Sequence, residues 1–349
     1  MPVPPPPPAA LSAVDISGLW KSFQLKGKTV EAVSGIDLTV AEGEIFGLLG
    51  PNGAGKTTTL RILTTLLPAD AGTAYVAGAD VRRDPALVRR RIGYVGQLGG
   101  ADASATGREN LLLAGRLYGL SAGAARRRCD ELTDVLGLRE LAGRAVRSYS
   151  GGQRRRLEVA LGIMHKPRVL FLDEPTTGLD PQNRANLWAQ LRSLRDRGTT
   201  VFLTTHYLDE ADQLSDRVAI VDHGRVIALG TPEELKRRYS ADTISVIPDV
   251  GAPGLPELSR VLSEAASATE ATIEHGAIRL TVADTKRAMT ALLGALAARE
   301  IGLLAASVGR PSLDDVFLRE TGRSLRDAGA AGGPPAAESA DAGTAEVAA

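Results

Sequence analysis

An α/β fold organised around a phosphate-binding loop is predicted by three observations. The run Gly50-Pro51-Asn52-Gly53-Ala54-Gly55-Lys56-Thr57 fits the pattern G-x-x-x-x-G-K-[ST]. The apolar run before it, Glu44 to Leu49, reads as a buried strand, and Thr58 to Leu63 reads as the first turns of a helix. Beyond the loop, short strand patterns alternate with helical periodicity, which implies a mostly parallel sheet covered on both faces. Residues 13–240 carry this pattern, and a small α+β domain is predicted over 241–324.

The elements follow in order. Residues 1–12, with Pro4 to Pro8, have no basic or apolar signal region and are expected to form a disordered or polyproline II arm. Val14 to Ser17 and Ile36 to Val40 read as strands around a turn at Lys26-Gly27-Lys28, and Thr73 to Val76 as another. A basic helix follows Pro85, and Ile92 to Val95 returns to strand just before Gln97. From about 100 to 165 the period becomes helical, with Leu111, Leu112, Leu117, Leu132 and Leu136 on apolar faces, so a helical insertion is expected. Strand Val169 to Leu172, helix Gln182 to Arg195, strand Thr200 to Thr204, helix Leu208 to Leu214 and strand Val218 to Val221 complete the alternation. Thr231-Pro232-Glu233-Glu234 is a capping box opening the helix that leaves this domain.

The second domain reads as strand Ile244 to Ile247, helix Glu257 to Ala265, a hairpin over Ala271 to Val282 turning at His275-Gly276, helix Thr285 to Arg299, strand Leu303 to Val308 and helix Leu313 to Leu318. Leu313, Val316 and Phe317 fall on one face of that last helix, suited to self-packing or to a partner. Residues 325–349 are rich in Ala, Gly, Pro and acidic residues and are expected to be disordered.

Composition narrows the function. Lys+Arg and Asp+Glu are both 41, so the neutral chain does not suggest a nucleic-acid partner. One cysteine, Cys129, permits neither an intrachain disulfide nor a cysteine metal cluster, and suits a reducing compartment. The most apolar long stretch, Met289 to Val308, contains Arg299 and Glu300, so no membrane span is expected.

The chemistry starts at the loop. Glycines let successive N–H groups converge on one phosphate, and the following helix N-terminus adds positive potential. Gly50, Pro51, Asn52, Gly53, Ala54, Gly55, Lys56, Thr57 and Thr58 are the expected phosphate contacts, with the Thr57 hydroxyl on Mg²⁺. Four apolar residues, Val169 to Leu172, end in Asp173-Glu174. There Asp173 is placed to hold Mg²⁺ and Glu174 to deprotonate the attacking water. Ser150-Gly151-Gly152-Gln153 is a capping box, yet its two glycines exceed what a cap needs and permit an anion to approach.

Tyr149 to Gln153 resembles the LSGGQ signature of ATP-binding-cassette (ABC) ATPases, with Tyr in place of Leu. Gln97 resembles the family's Q-loop glutamine, Gly178-Leu179-Asp180 its D-loop and His206 its switch histidine. Phe23 falls where the family stacks an aromatic on adenine, with Trp20 nearby. The segments Thr106 to Leu111, Arg116 to Gly119, Ser312 to Leu318 and Thr321 to Arg323 resemble the daunorubicin/doxorubicin-resistance type of exporter subunit.

The resemblance implies a P-loop NTPase of the ABC type that binds ATP and Mg²⁺. It implies a homodimer in which Ser150, Gly151, Gly152 and Gln153 meet the ATP bound to the other copy. Gln97 would join the metal site and sense the γ-phosphate for hydrolysis, Asp180 would contact the nucleotide and His206 would serve hydrolysis. A separate transmembrane permease would provide the membrane association and the route for a drug or amphipathic metabolite. Other readings in the same family are a soluble ATPase acting on ribosomes or DNA, an importer, or an exporter of lipid or polysaccharide.

Overall fold

The computed structural model describes residues 12–25, 27–239, 242–249, 254–274, 276–309 and 312–325. The arm before Ser12, the tail after Leu325, and Lys26 and His275 of the two expected turns lie outside the described residues. The chain divides into two compact units, one built on the residues up to Ala228 and the other on Leu229–Ser324.

The first unit contains two sheets. Strands β1 (Ser12–Leu25), β2 (Lys28–Ala41), β4 (Ala71–Val76) and β5 (Ala79–Asp80) form one, in the order β2-β1-β4-β5. The second has the order β10-β9-β3-β8-β7-β6, from β3 (Ile45–Leu49), β6 (Ile92–Val95), β7 (Val169–Asp173), β8 (Thr200–Thr205), β9 (Arg217–Asp222) and β10 (Arg225–Gly230). Strands β9, β3, β8, β7 and β6 run parallel.

The parallel sheet agrees with the alternation in the sequence, but the early strands do not join it. β1 pairs antiparallel with β2 and β4. The cause is local, since a tight turn at Gly27 (φ 78°) can only return the chain beside itself. Both strands also run further than their apolar alternation suggests, to 14 residues each, because backbone pairing continues where the side chains are polar and exposed. β10 follows a turn at His223 (φ 46°) and Gly224 (φ 74°) that apolar patterning does not mark.

Period-2 alternation in the central strands divides their side chains between two cores. Phe46, Leu48, Phe171 and Phe202 point to one side, packing with Val14, Ile16, Leu38 and Val40 of the antiparallel sheet and Leu60 of α1 (Lys56–Leu63). Leu170, Leu172, Val201 and Leu203 point to the other. There they meet Leu111 of α3 (Gly107–Leu117), Cys129 and Leu132 of α4 (Ala122–Val135), Leu157 of α5 (Gly151–Gly162) and Leu187 of α6 (Pro181–Asp196). A Phe→Ala change at such a position typically costs about 3–5 kcal/mol. Cys129 is free and buried, and burial raises its thiol pKa. The short helices α2 (Pro85–Arg91) and α7 (Leu208–Leu214) complete the unit.

The second unit is an antiparallel sheet of order β12-β13-β11-β14. Its strands are β11 (Asp242–Pro248), β12 (Glu270–Glu274), β13 (Ala277–Val282) and β14 (Leu303–Gly309). Ile244, Val246, Ile278 and Leu280 pack against Leu258 and Leu262 of α9 (Leu255–Ala266) and Leu292 and Leu296 of α10 (Thr285–Ala297). Helix α8 (Pro232–Tyr239) lies against α11 (Leu313–Thr321). Leu313, Val316 and Phe317 are buried, so that face packs within the protein. Among the described residues no helix is long and apolar enough to cross a membrane.

Candidate nucleotide site

The strand order brings the site together. β8 lies between β3 and β7, so the loop after β3, the carboxylates ending β7 and the segment after β8 emerge side by side. In register, Leu49 pairs with Thr205 and Asp173 with Thr204. The C-terminal ends of parallel strands are where such folds assemble their sites.

Crowding explains the loop glycines. A Cβ on Gly50 would lie 2.3 Å from the Val221 carbonyl oxygen, and one on Gly55 (φ 99°) 2.1 Å from that of Ala32. Gly53 (φ 81°) faces open space instead, so its backbone is free to approach a phosphate. Lys56 opens α1 and is only 4% exposed. Its Nζ donates to the Gly50 carbonyl at 2.8 Å and the Pro51 carbonyl at 3.0 Å, and lies 3.6 Å from Glu174 Oε1. Burial lowers its pKa, a pull that Glu174 and Asp173 oppose.

Asp173 is buried at the end of β7. Its Oδ1 accepts from Thr57 Oγ1 at 3.1 Å and from Thr204 Oγ1 at 2.6 Å. A carboxylate and a threonine hydroxyl in contact beside a phosphate loop fit Mg²⁺, which takes few protein ligands and completes its shell with phosphate and water. Gln97 follows β6, is exposed and lines the same cleft.

Glu174 has φ 45°, a left-handed conformation that is costly for a non-glycine residue, roughly 1–3 kcal/mol. Its backbone N–H donates to Thr204 Oγ1 at 3.1 Å, and its Oε2 accepts from Thr177 Oγ1 at 3.3 Å. His206 Nδ1 is 3.2 Å from the same Oε2, within ion-pair distance but not aligned as a hydrogen bond. Burial pushes the Glu174 pKa up, but His206, the Lys56 charge and Thr177 outweigh it and hold the carboxyl below its ordinary value. It is therefore an ionised, partly buried carboxylate, able to accept a proton.

The cleft has a volume of about 1280 Å³, and its walls include Phe23, Asn52, Lys56, Thr58, Gln97 and Glu174. Phe23 is half-buried and pairs with Val30 across the β1–β2 hairpin, so both sit at the cleft edge. Trp20 does not line the cleft; a Cβ on Gly35 would lie 3.9 Å from its ring.

Ser150 and Gln153 form the capping box of α5, with Ser150 N donating to Gln153 Oε1 at 2.9 Å and Gln153 N to Ser150 Oγ at 3.3 Å. Ser150 and Gly151 are exposed, and Gly152 is buried against α6, where a Cβ would lie 2.5 Å from Asn183 Cγ. Asp180 is exposed, caps α6 through Asn183 N at 3.0 Å and accepts from Asn183 Nδ2 at 2.6 Å. Its pKa is lowered by those Asn183 bonds. Among the described residues no hydrogen bond links Ser150, Gln153 or Asp180 to the Lys56–Asp173–Glu174 group. Gly151 nevertheless lines the same cleft as Lys56, Gln97 and Glu174, whereas Ser150, Gln153 and Asp180 are not among its lining residues.

Sequence reading missed Thr204, Arg155, Glu158 and Asn183. Thr204 could have been found from strand register, as the polar residue near the end of β8 that pairs with Asp173. Arg155 and Glu158 stand three apart on α5, a spacing that puts them on one face.

A phosphate-loop motif between strand and helix, a threonine hydroxyl bonded to a buried carboxylate, a second carboxylate with a lowered pKa and a helical insertion are the arrangement of an ATP-binding-cassette ATPase, and comparison with known proteins agrees. Residues 33–177 match the ABC transporter family, and residues 230–321 match the C-terminal domain of DrrA1-3-like ATP-binding proteins. The chain is 46% identical over 317 residues to the daunorubicin/doxorubicin resistance ATP-binding protein DrrA of Streptomyces peucetius, covering 90% of this chain and 94% of that one. It is 37% identical to the linearmycin resistance ATP-binding protein LnrL of Bacillus subtilis, over 84% of this chain and 95% of that one. A dimeric ATP-binding cassette, MJ0796, solved in a post-hydrolysis state with ADP and Pi, superposes with TM-score 0.58 at 25% identity, over 62% of this chain and 98% of that one. The chain belongs to the DrrA-like family of ABC transporter ATP-binding proteins. It is an ATP-hydrolysing subunit of an ABC exporter.

Proposed function

We propose that the chain energises efflux of a drug or amphipathic metabolite through a separate membrane subunit, at the cytoplasmic face of the membrane. The observation that carries the reading is the meeting of Lys56, Asp173, Glu174 and His206 at the ends of neighbouring strands. The relatives' names, daunorubicin/doxorubicin resistance and linearmycin resistance ATP-binding proteins, support export of compounds of that class.

Each side chain takes a role that its chemistry suits. The loop from Gly50 to Thr58 cradles the phosphates, and Lys56 leaves its carbonyl partners to neutralise them. Thr57 and Asp173, with Gln97, would hold Mg²⁺, which supplies charge neutralisation on the phosphates. Phe23 stacks on adenine. Glu174 takes a proton from water as it attacks the γ-phosphorus, and the terminal P–O bond breaks to release ADP and phosphate. His206, beside Glu174, steadies the γ-phosphate. Ser150, Gly151, Gly152 and Gln153 close on the nucleotide of a second copy, with Asp180 at the interface. The dimeric post-hydrolysis cassette MJ0796 supports that assembly.

Glu174→Gln keeps the shape and removes the base, so hydrolysis falls by about 10²–10⁴-fold. ATP binding persists because Lys56, Thr57 and Asp173 are untouched. Size-exclusion chromatography with Mg-ATP is expected to show a trapped dimer for Glu174→Gln and a monomer once Ser150→Arg is added. A double variant that dimerises as well as Glu174→Gln would refute the sandwich.

A further inference from the structure

We propose that Arg155 is a positioning residue that fixes the strained backbone of Glu174. The inference rests on Glu174 being the base, as proposed above.

Arg155 lies in the first turns of α5 and is 7% exposed. Its guanidinium donates from Nη2 to the Asp173 carbonyl at 3.1 Å and from Nε to the Pro175 carbonyl at 2.9 Å. Those two residues flank Glu174. Its Nη1 donates to the Gly96 carbonyl at 2.8 Å, one residue before Gln97. One planar group therefore holds the chain on both sides of the base and the start of the neighbouring loop.

The backbone needs such a hold. Glu174 has φ 45° without being glycine, a conformation that persists only where the surroundings over-determine it. Thr204 fixes its N–H, and Arg155 fixes the carbonyls before and after it. If the flanking carbonyls turn, the carboxylate moves from its place beside Lys56 and His206.

Glu158 completes the device. Its Oε2 accepts from Arg155 Nη1 at 3.1 Å and balances the buried charge. Its Oε1 rests 2.0 Å from where a Cβ on Gly99 (φ 72°) would stand, so only glycine lets the loop lie on it. The pair thus meets the loop by a hydrogen bond at Gly96 and by close approach at Gly99. Anchoring α5 does not by itself require an ion pair. Leu157, Val159 and Ala160 already pack it into the core, and a buried pair is often no more stable than apolar residues of the same volume. The fork geometry, aimed at three carbonyls, is what an apolar pair cannot supply.

The test uses the full chain with Mg-ATP. Arg155→Lys keeps the charge against Glu158 but cannot span three carbonyls, and Arg155→Met with Glu158→Met leaves no lone buried charge if the lysine variant folds poorly. Steady-state turnover is expected to fall about 10–100-fold, as small misplacements of catalytic groups do. Equilibrium ATP affinity is expected to stay within about twofold, because the loss acts through Glu174 and not through binding. In a Glu174→Gln background the same changes are expected to leave single-turnover hydrolysis unaltered. Wild-type turnover in both Arg155 variants, a parallel loss of ATP affinity, or a full further loss in the Glu174→Gln background would each overturn the inference. Glu174→Gln that hydrolyses like the wild type would instead remove the base itself, a result read without any Arg155 variant.

Discussion

Lys56 shows how one residue serves two partners in turn. Its ammonium is held by the Gly50 and Pro51 carbonyls and lies 3.6 Å from Glu174. Burial already lowers its pKa, so a phosphate would restore to it a strong counter-charge. Lys56→Ala is expected to weaken ATP binding about 10–100-fold, the usual worth of a hydrogen bond to a charged group. Circular dichroism of the variant should match the wild type, and normal nucleotide affinity in a folded variant would remove the loop from its role. At this scale the sequence was most legible where spacing itself is the signal, as in the loop and in Asp173-Glu174. Thr204 and Arg155 were not, because each acts on a backbone or carboxylate far along the chain, which only strand register and helix packing bring near.

At the scale of elements, α6 and α7 share a buried contact that no motif announces. Glu210 of α7 is fully buried, and its Oε1 accepts from Trp188 Nε1 of α6 at 3.1 Å. Its Oε2 and the buried Thr176 hydroxyl make no hydrogen bond in this geometry. Burial raises the pKa of Glu210 against the pull of Thr205, Trp188 and Thr176. The folded chain therefore holds a proton that the unfolded chain gives up near its ordinary value of about 4.3. The contribution is complete below that value and is lost as pH rises through the folded pKa. Glu210→Gln cannot ionise, so its melting temperature is expected to exceed that of the wild type by more at pH 8 than at pH 5. A difference independent of pH would refute the assignment.

Elements also show what patterning reads well. β6 and α7 match their expected bounds and β3 comes within one residue, the two strands because each is a short apolar run closed by a turn. β5 was missed because two residues carry no period. The apolar face of α11 was ambiguous in sequence, and its burial assigns it to packing within its own unit. Phe317→Ala is expected to cost that unit about 3–5 kcal/mol, read as a lowered unfolding transition.

For the whole molecule, alternation conveyed the parallel sheet but not the separate antiparallel one: the turn at Gly27 marks the β1–β2 hairpin, whereas the long-range pairing of β1 with β4 leaves no local trace. The two units have separate cores. Calorimetry is expected to show two transitions, of which Mg-ATP raises only the one belonging to the nucleotide-binding unit. Ligand at a hundred times its dissociation constant contributes about 2.7 kcal/mol. A single transition that shifts as a whole would refute the separation.

Burial of Cys129 has a practical consequence. The chain's one thiol is sealed in the core, with its pKa raised so that little reactive thiolate forms. Maleimide spin labels or fluorophores would pass over the native protein. A cysteine placed at an exposed position outside the site, such as Arg83 or Arg260, would then be the sole label acceptor. Distances between two such labels in a dimer could be followed through a cycle of ATP without first stripping the background.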